Sequence, residues 1–173
     1  MRVIVVVVML LSFAVMVDNE PQVFPAEQYE LFCGETLQMN VRLSKIYSDV
    51  RSLNLYSVTT PELIEAIYEH SEAFNIPYQI LIALIYTESS FRQFAVSYAD
   101  CVGYMQINPA VHTWIDRDRM FETNYNIYAG CTILRKYYDR TGDWEQALIR
   151  YNGWFRGNPF GRLVLSRKAK LRG

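Results

Sequence analysis

The side chain best suited to chemistry in this sequence is the carboxylate of Glu88, which ends a run that is otherwise apolar. Residues 80–86 carry no charge and leave no polar face, so a helix over this run is predicted to be buried all round. A low dielectric disfavours a charged carboxyl group, and the pKa of such a Glu can rise from about 4.3 to roughly 6–7. Glu88 could then donate a proton to a leaving oxygen near neutral pH. Alternatively, it turns out to water or caps a neighbouring backbone.

Three groups of residues follow Glu88-Ser89 along the chain. They are Gly103-Tyr104-Met105-Gln106, then Asn126-Ile127 with Gly130, then Ala147 with Tyr151-Asn152. Together the four elements resemble the catalytic domain of lytic transglycosylases of the soluble (SLT) type, which are relatives of goose-type lysozyme. The resemblance implies a mainly α, lysozyme-like helical domain with at most a very small β-hairpin.

The resemblance also implies an activity, in which Glu88 is the catalytic residue and no cofactor takes part. Glycosidases ordinarily use two carboxylates. This family uses one to cleave the β-1,4 bond between N-acetylmuramic acid and N-acetylglucosamine in peptidoglycan. The acid protonates the leaving oxygen and then, as a base, takes the proton of the C6 hydroxyl, which closes a 1,6-anhydro ring. That hydroxyl is already held beside the reacting carbon.

Five substrate-binding residues follow from the same resemblance. Ser97 matches a serine that hydrogen-bonds the substrate's N-acetyl group, and Met105 and Gln106 match a pair that lines the substrate. Tyr151 matches a tyrosine whose hydroxyl lies near the acid, and Asn152 is expected to hold the backbone of that corner. Two alternatives stay open, namely that Met105 mainly packs in the core and that Gln106 and Tyr151 are buried structural groups.

The loop before Gln106 departs from the family pattern at three positions, which are Tyr98, Asp100 and Tyr104 in place of the usual Pro, Gly and Leu. Asp100 is either a surface turn residue or a carboxylate that faces the cleft and positions water. The second case would favour a muramidase that hydrolyses the same bond. A third reading is a non-catalytic peptidoglycan-binding subunit of an envelope machine, such as secretion machinery.

The N-terminus has the layout of a secretory signal. Residues 3–17 are apolar apart from Ser12, with Arg2 before them and acidic residues after them. The run is shorter than the roughly 20 residues that span a membrane, but no convincing cleavage site follows, so an N-terminal membrane anchor is the alternative. We therefore expect export to the periplasm or cell envelope, with residues 1–17 as signal or anchor, 18–57 as linker and accessory helix, and 58–173 as catalytic domain.

Charge and composition limit the partners. Seventeen basic and 18 acidic residues give a net charge of −1, which offers no general attraction to nucleic acid. Every charged residue after Glu145 is basic, which suits either a helix end or adhesion to an anionic surface. The sequence has only two histidines, and their spacing does not suit a metal site, so we expect no metal. By the family's folding, Cys101 and Cys131 come close, either as a disulfide or, as the favoured alternative, as two buried free thiols.

The periodic pattern predicts the helices that position these residues. A stripe from Met39 to Leu53 indicates an amphipathic helix over about 35–53 whose stripe packs on the catalytic core. Thr60 and Pro61 suit the start of a second helix, and Pro77 opens the buried one. After loops over 91–102, further helices are predicted over 109–115, 124–138, 144–151 and 160–171.

Overall fold

The computed structural model describes residues 16–17, 20–21, 26–53, 60–153 and 157–171, with side chains from residue 34 onward. Two short strands, β1 (Met16–Val17) and β2 (Glu20–Pro21), pair antiparallel. The helices are α1 (Ala26–Leu53), α2 (Pro61–Ala73), α3 (Tyr78–Ser89), α4 (Thr123–Thr141), α5 (Trp144–Asn152) and α6 (Phe160–Lys168), with a 3-10 turn at Arg117–Arg119. The prediction of a mainly α, lysozyme-like domain is confirmed.

The chain divides into two compact units, Met1–Asn40 and Val41–Gly173. Most of the predicted signal segment, residues 1–15, lies outside the described residues. Within the part of the chain that the structure describes, no helix has both the length and the apolar character needed to cross a membrane. The predicted division at residue 57 stays a prediction.

Helix α1 begins at Ala26, nine residues before the predicted start at residue 35, so the predicted linker is partly helical. Ile46 and Val50 of its stripe are fully buried in the core of the second unit. Asp49 on the same helix is also buried and accepts a hydrogen bond of 3.2 Å from the Tyr78 hydroxyl. The first residue of α3 is therefore tied to α1 by a polar contact inside an otherwise apolar interface.

Helices α2 and α3 begin where the sequence predicts. Thr60 caps α2 by accepting a hydrogen bond of 3.2 Å from the amide of Leu63, and Pro61 occupies the first helical position. Pro77 precedes α3, in which all six residues of 80–85 are fully buried. Helix α3 ends with Ser90 and Phe91 in left-handed backbone conformations, at φ values of 53° and 59°. Two such non-glycine residues in succession are strained.

The segment between α3 and α4 is irregular. Val102 makes isolated β-bridges to Val96 and to Ile107, which form the very small β element that the sequence predicts in this region. The predicted helix over 109–115 is wrong, because this stretch forms turns. The Asn108 carboxamide oxygen accepts a 2.8 Å hydrogen bond from the Ala110 amide, which favours a turn over a helix.

The last three helices close the second unit. Asp143 caps α5 through a 2.8 Å hydrogen bond from the Gln146 amide, and Gly142 ends α4 with a φ of +66°. Helix α6 contacts both α3 and α5. The helix that carries Glu88 is thereby enclosed by apolar side chains from several elements.

Candidate active site

A groove of about 400 Å³ opens where the end of α3 meets α4, α5 and the loop before α4. Glu88 lies in it, and four of the five predicted substrate-binding residues, all except Met105, also line it. The complete lining is Glu88, Ser97, Cys101, Gln106, Ile107, Asn108, Val111, His112, Ile133, Tyr137, Arg150, Tyr151, Asn152 and Gly153.

Glu88 is half-buried in the last turn of α3 and lines the groove. Burial raises the pKa of its carboxyl group from 4.5 to about 7, and desolvation is the cause. Because the six residues 80–85 before it are fully buried, the apolar core itself disfavours the charged form. At neutral pH a large fraction of Glu88 is therefore protonated and able to act as a general acid.

Tyr151 on α5 lies near Glu88. Burial, and after it the charge of Glu88, raises the pKa of Tyr151 well above its usual value, so its hydroxyl stays neutral. The hydroxyl donates a 2.8 Å hydrogen bond to the carbonyl oxygen of Met105. Its proton is thus directed away from Glu88, and only the lone pairs of its oxygen are left to face a protonated carboxyl group.

The loop that faces Glu88 is held by the buried side chain of Asn126. The Asn126 carboxamide accepts from the Met105 amide at 2.8 Å and donates to the carbonyls of Val102 and Met120 at 3.1 and 2.9 Å. It approaches Gly103, whose φ is +78°, so closely that a β-carbon on that glycine would overlap the amide. Only glycine satisfies both the backbone conformation and the close approach.

Met105 does not reach the groove. Its side chain is fully buried and packs against Gly130 of α4, where an added β-carbon would lie 2.5 Å from the methionine methyl group. The structure therefore corrects the expectation that Met105 contacts substrate and agrees with the alternative that it packs in the core. Met105 serves the groove through its backbone, because its carbonyl oxygen holds the Tyr151 hydroxyl.

Ser97 and Gln106 lie on the same loop, and each uses part of its polar group to hold that loop. The Ser97 hydroxyl oxygen accepts a 3.1 Å hydrogen bond from the Cys101 amide. Gln106, at a φ of +48°, donates through Nε2 to the carbonyls of Ala95 and Gly103, both at 3.1 Å. The Ser97 proton and the Gln106 carboxamide oxygen have no partner in these bonds and can serve a ligand.

Two further residues have clear positions. Asp100 is exposed, has a φ of +56° and does not line the groove, which agrees with the surface turn and not with a cleft-facing carboxylate. Asn152 is exposed on the groove, and its carboxamide oxygen accepts a 3.4 Å hydrogen bond from Asn158. Asn158 also donates to the Gly153 carbonyl at 2.9 Å, so the pair holds the chain as it leaves α5.

Comparison with known proteins identifies the family. Residues 65–157, more than half of the chain, match the family described as the transglycosylase SLT domain. The chain belongs to the SLT transglycosylase-domain family. A protein named "Transglycosylase" from Enterobacteria phage PRD1 is 32% identical over 89 residues, which cover 51% of this chain and 34% of that protein. The chain thus spans about a third of the length of this relative. No solved structure matches the chain significantly.

Sequence reasoning did not assign several residues that line the groove of the SLT domain. Ile133 and Tyr137 follow Gly130 by three and seven positions on α4, so helical spacing from that glycine could have found them. Asn108 follows the Gln106 element directly and also ties the loop down by donating to the Ala99 carbonyl at 2.7 Å. Arg150 precedes Tyr151 directly but carries no signal of its own in the pattern.

The two cysteines of the SLT domain are free thiols, as the second alternative expected, but only one of them is buried. Cys131 is fully buried, and burial raises the pKa of its thiol, whereas Cys101 is only half-buried at the groove. Within residues 34–53, 60–153 and 157–171, no cluster of three or more His, Cys, Asp or Glu side chains could hold a metal ion. The expectation that no metal or cofactor takes part stays a prediction.

Proposed function

We propose that this protein is a peptidoglycan lytic transglycosylase that cleaves the β-1,4 bond between N-acetylmuramic acid and N-acetylglucosamine and forms a 1,6-anhydro ring. Glu88 is the acid and then the base. The observation that carries the proposal is a carboxyl group in a sugar-sized groove whose pKa is about 7. Such a group can be protonated at the start of a reaction and ionised in the middle of it at one pH.

The reaction balances with Glu88 alone. Its proton goes to the glycosidic oxygen, the bond from that oxygen to C1 breaks, and the cationic sugar is stabilised by its own N-acetyl group. The Glu88 carboxylate then takes the proton of the C6 hydroxyl while O6 bonds to C1. Glu88 ends protonated, as it began, and no water is consumed. The internal hydroxyl has an advantage of proximity that a free water lacks.

The neighbours of Glu88 support these steps. Neutral Tyr151, whose proton is held by the Met105 carbonyl, offers its oxygen to the protonated form of Glu88 and so helps to orient the acid. Ser97 can donate its remaining proton to the substrate's N-acetyl group. Gln106 presents its carboxamide oxygen as an acceptor for a sugar hydroxyl or amide.

The number of carboxylates in the groove favours this chemistry over hydrolysis. Glu88 is the one acidic residue among the described residues that line the groove, and Asp100 lies outside it. Inverting hydrolysis takes a second carboxylate to activate water, and retaining hydrolysis ordinarily takes one as a nucleophile. A single acid fits a reaction whose nucleophile belongs to the substrate.

Product analysis tests the proposal. Purified peptidoglycan is digested, and the primary muropeptides are analysed by mass spectrometry. We expect anhydro products, lighter than the hydrolysed forms by one water. Hydrated products formed first would show a muramidase instead. Binding without any cleavage by the folded wild-type protein would show a non-catalytic peptidoglycan-binding subunit.

We also propose that the protein is exported to the periplasm or cell envelope, where its substrate lies, and that its N-terminal segment is a signal or membrane anchor. The support is the apolar run of residues 3–17 after Arg2. Secretion machinery of the envelope is a candidate partner. Fractionation of cells that express the full chain tests this, since protein found only in the cytoplasm would contradict it.

A further inference from the structure

Arg150 places a permanent positive charge in the groove. Within the part of the chain that the structure describes, it is the one Arg or Lys residue in the groove lining. It lies in the last turn of α5, directly before Tyr151, and is exposed. The helix dipole favours a cation in the last turn of any helix, whether or not that turn faces a groove. The dipole therefore does not explain why Arg150 lies in the groove lining.

The charge of Arg150 has no anionic partner in the protein as far as it is described. The four ion pairs found among the described residues involve Arg42, Arg119, Arg135 and Arg162. Arg150 does not tune the acid either, because burial alone shifts the pKa of Glu88 and a cation within about 4–6 Å would lower it. The guanidinium group is thus left to a ligand in the groove.

A second cation adds to the positive potential of this region. Lys136 on α4 lies near enough to His112 to lower its pKa, in addition to the effect of burial, so His112 is mainly neutral at pH 7. Arg150 thus lines, and Lys136 lies near, a groove in which a large fraction of the one acid in the lining, Glu88, is protonated. Such a groove attracts anions.

We propose that Arg150 binds a carboxylate of the substrate strand, carried by the peptide stem on N-acetylmuramic acid. This deepens the proposed function and rests on it. The sugar rings of the strand are neutral, and its stems carry carboxylates. A guanidinium group matches a carboxylate with two parallel hydrogen bonds, a geometry that the ammonium of lysine does not reproduce. Arg150 would then make the enzyme prefer strands with charged stems.

The test compares soluble peptidoglycan oligomers with the same oligomers after their carboxylates are converted to amides. We expect wild-type kcat/KM to be higher on the free carboxylates by about tenfold, the value of one charge-assisted contact. Arg150→Gln should bring this ratio close to one, and Arg150→Lys should restore it in part. If Arg150→Gln lowers kcat/KM by the same factor on both substrates, Arg150 is structural and the inference fails.

Two additions make the result specific. Arg140→Gln removes an exposed cation that lies outside the groove lining and should keep the wild-type ratio. Strands stripped of their stems keep only the carboxylate of the lactyl group. A full Arg150 effect on these strands would assign the contact to that carboxylate and overturn the assignment to the stem, whereas loss of the effect supports the stem.

Calorimetry separates failure of this inference from failure of the proposed function. The affinity of Glu88→Gln protein for the stem-bearing oligomer is measured with and without Arg150→Gln, and this readout requires no cleavage. We expect the second substitution to weaken binding about tenfold. If no substrate is cleaved but this difference remains, the proposed chemistry fails while the contact of Arg150 with the carboxylate stands. Equal affinities overturn the contact.

Discussion

The two sides of the groove are built in opposite ways. Helix α3 positions Glu88 mainly through apolar packing, with residues 80–85 fully buried. The facing loop, residues 95–108, is held by polar groups, chiefly the carboxamides of Asn126, Gln106 and Asn108. The two sides of the groove therefore have different roles. The apolar side sets the pKa of Glu88, and the hydrogen-bonded side fixes the positions at which substrate groups approach Glu88.

The largest effect tests the apolar side. Glu88→Gln keeps the shape of the side chain but removes the proton, so we expect lysis of purified peptidoglycan to fall by at least about a thousandfold. Folding should hold, because the neutral amide avoids the penalty of a buried charge. Loss of turbidity measures lysis, and Glu65→Gln, at an exposed position of α2, is the control. Lysis above a tenth of the wild-type rate would remove Glu88 from its role.

The hydrogen-bonded side is tested by Gly103→Ala. The new methyl group would overlap the Asn126 amide and force a residue with a side chain to a φ of +78°, so we expect a loss of about 3 kcal/mol or more in the free energy of unfolding. The control is Gly142→Ala, where φ is +66° but no atom lies within 4 Å of the added carbon, with an expected cost of about 1 kcal/mol. Equal costs in denaturant titrations would show that the contact with Asn126 is unimportant.

The pH dependence of stability measures how far the apolar side raises the pKa of Glu88. The pKa of Glu88 is about 7 in the folded protein and near its ordinary value of 4.5 in the unfolded chain. Below 4.5 both states are protonated, and between 4.5 and 7 the unfolded state releases its proton first. The free energy of unfolding should therefore fall over this range, by up to about 3 kcal/mol, relative to that of Glu88→Gln. A difference between the two proteins that is constant from pH 4 to 8 would contradict the raised pKa.

The smallest expected effect concerns Tyr151, which connects the two sides of the groove. Tyr151→Phe removes the hydroxyl that binds the Met105 carbonyl, with an expected cost of about 1–2 kcal/mol in stability and about tenfold in kcat. Tyr137→Phe is a matched control, because Tyr137 also lines the groove but its hydroxyl makes no hydrogen bond to the described residues. If the two variants lose the same amount of activity, the contact between Tyr151 and the loop does not matter for catalysis.

Local signals allowed much of the fold to be predicted. Thr60 and Asp143 cap helices that begin as expected, because a capping side chain acts on amides only a few residues away. The apolar run before Glu88 predicted both a buried helix and the direction of the pKa shift, since burial on all sides follows from composition alone. The positions of Glu88, Gln106 and Tyr151 in one groove followed from the family resemblance and not from local pattern.

The features that were missed depend on contacts distant in sequence. Met105 points into the core because Gly130, on another helix, leaves room for it, and no pattern near Met105 shows this. The segment 109–115 has Pro109 at a position that suits a helix start, but Asn108 forms a turn and Val111 stays exposed, so a helix would have buried little. In the sequence, Arg150 resembles any basic residue near a helix end. Only its position in the folded groove distinguishes it.

The location of Glu88 in the last turn of α3 has one more consequence. The last turn carries no basic residue, so burial by the core disfavours ionisation of Glu88 with no cation in the turn to oppose it. With a pKa near 7, the carboxyl group exchanges its proton with neutral water at almost no difference in free energy. Because Glu88 also lines the open groove, a lost proton can be regained from the solvent there.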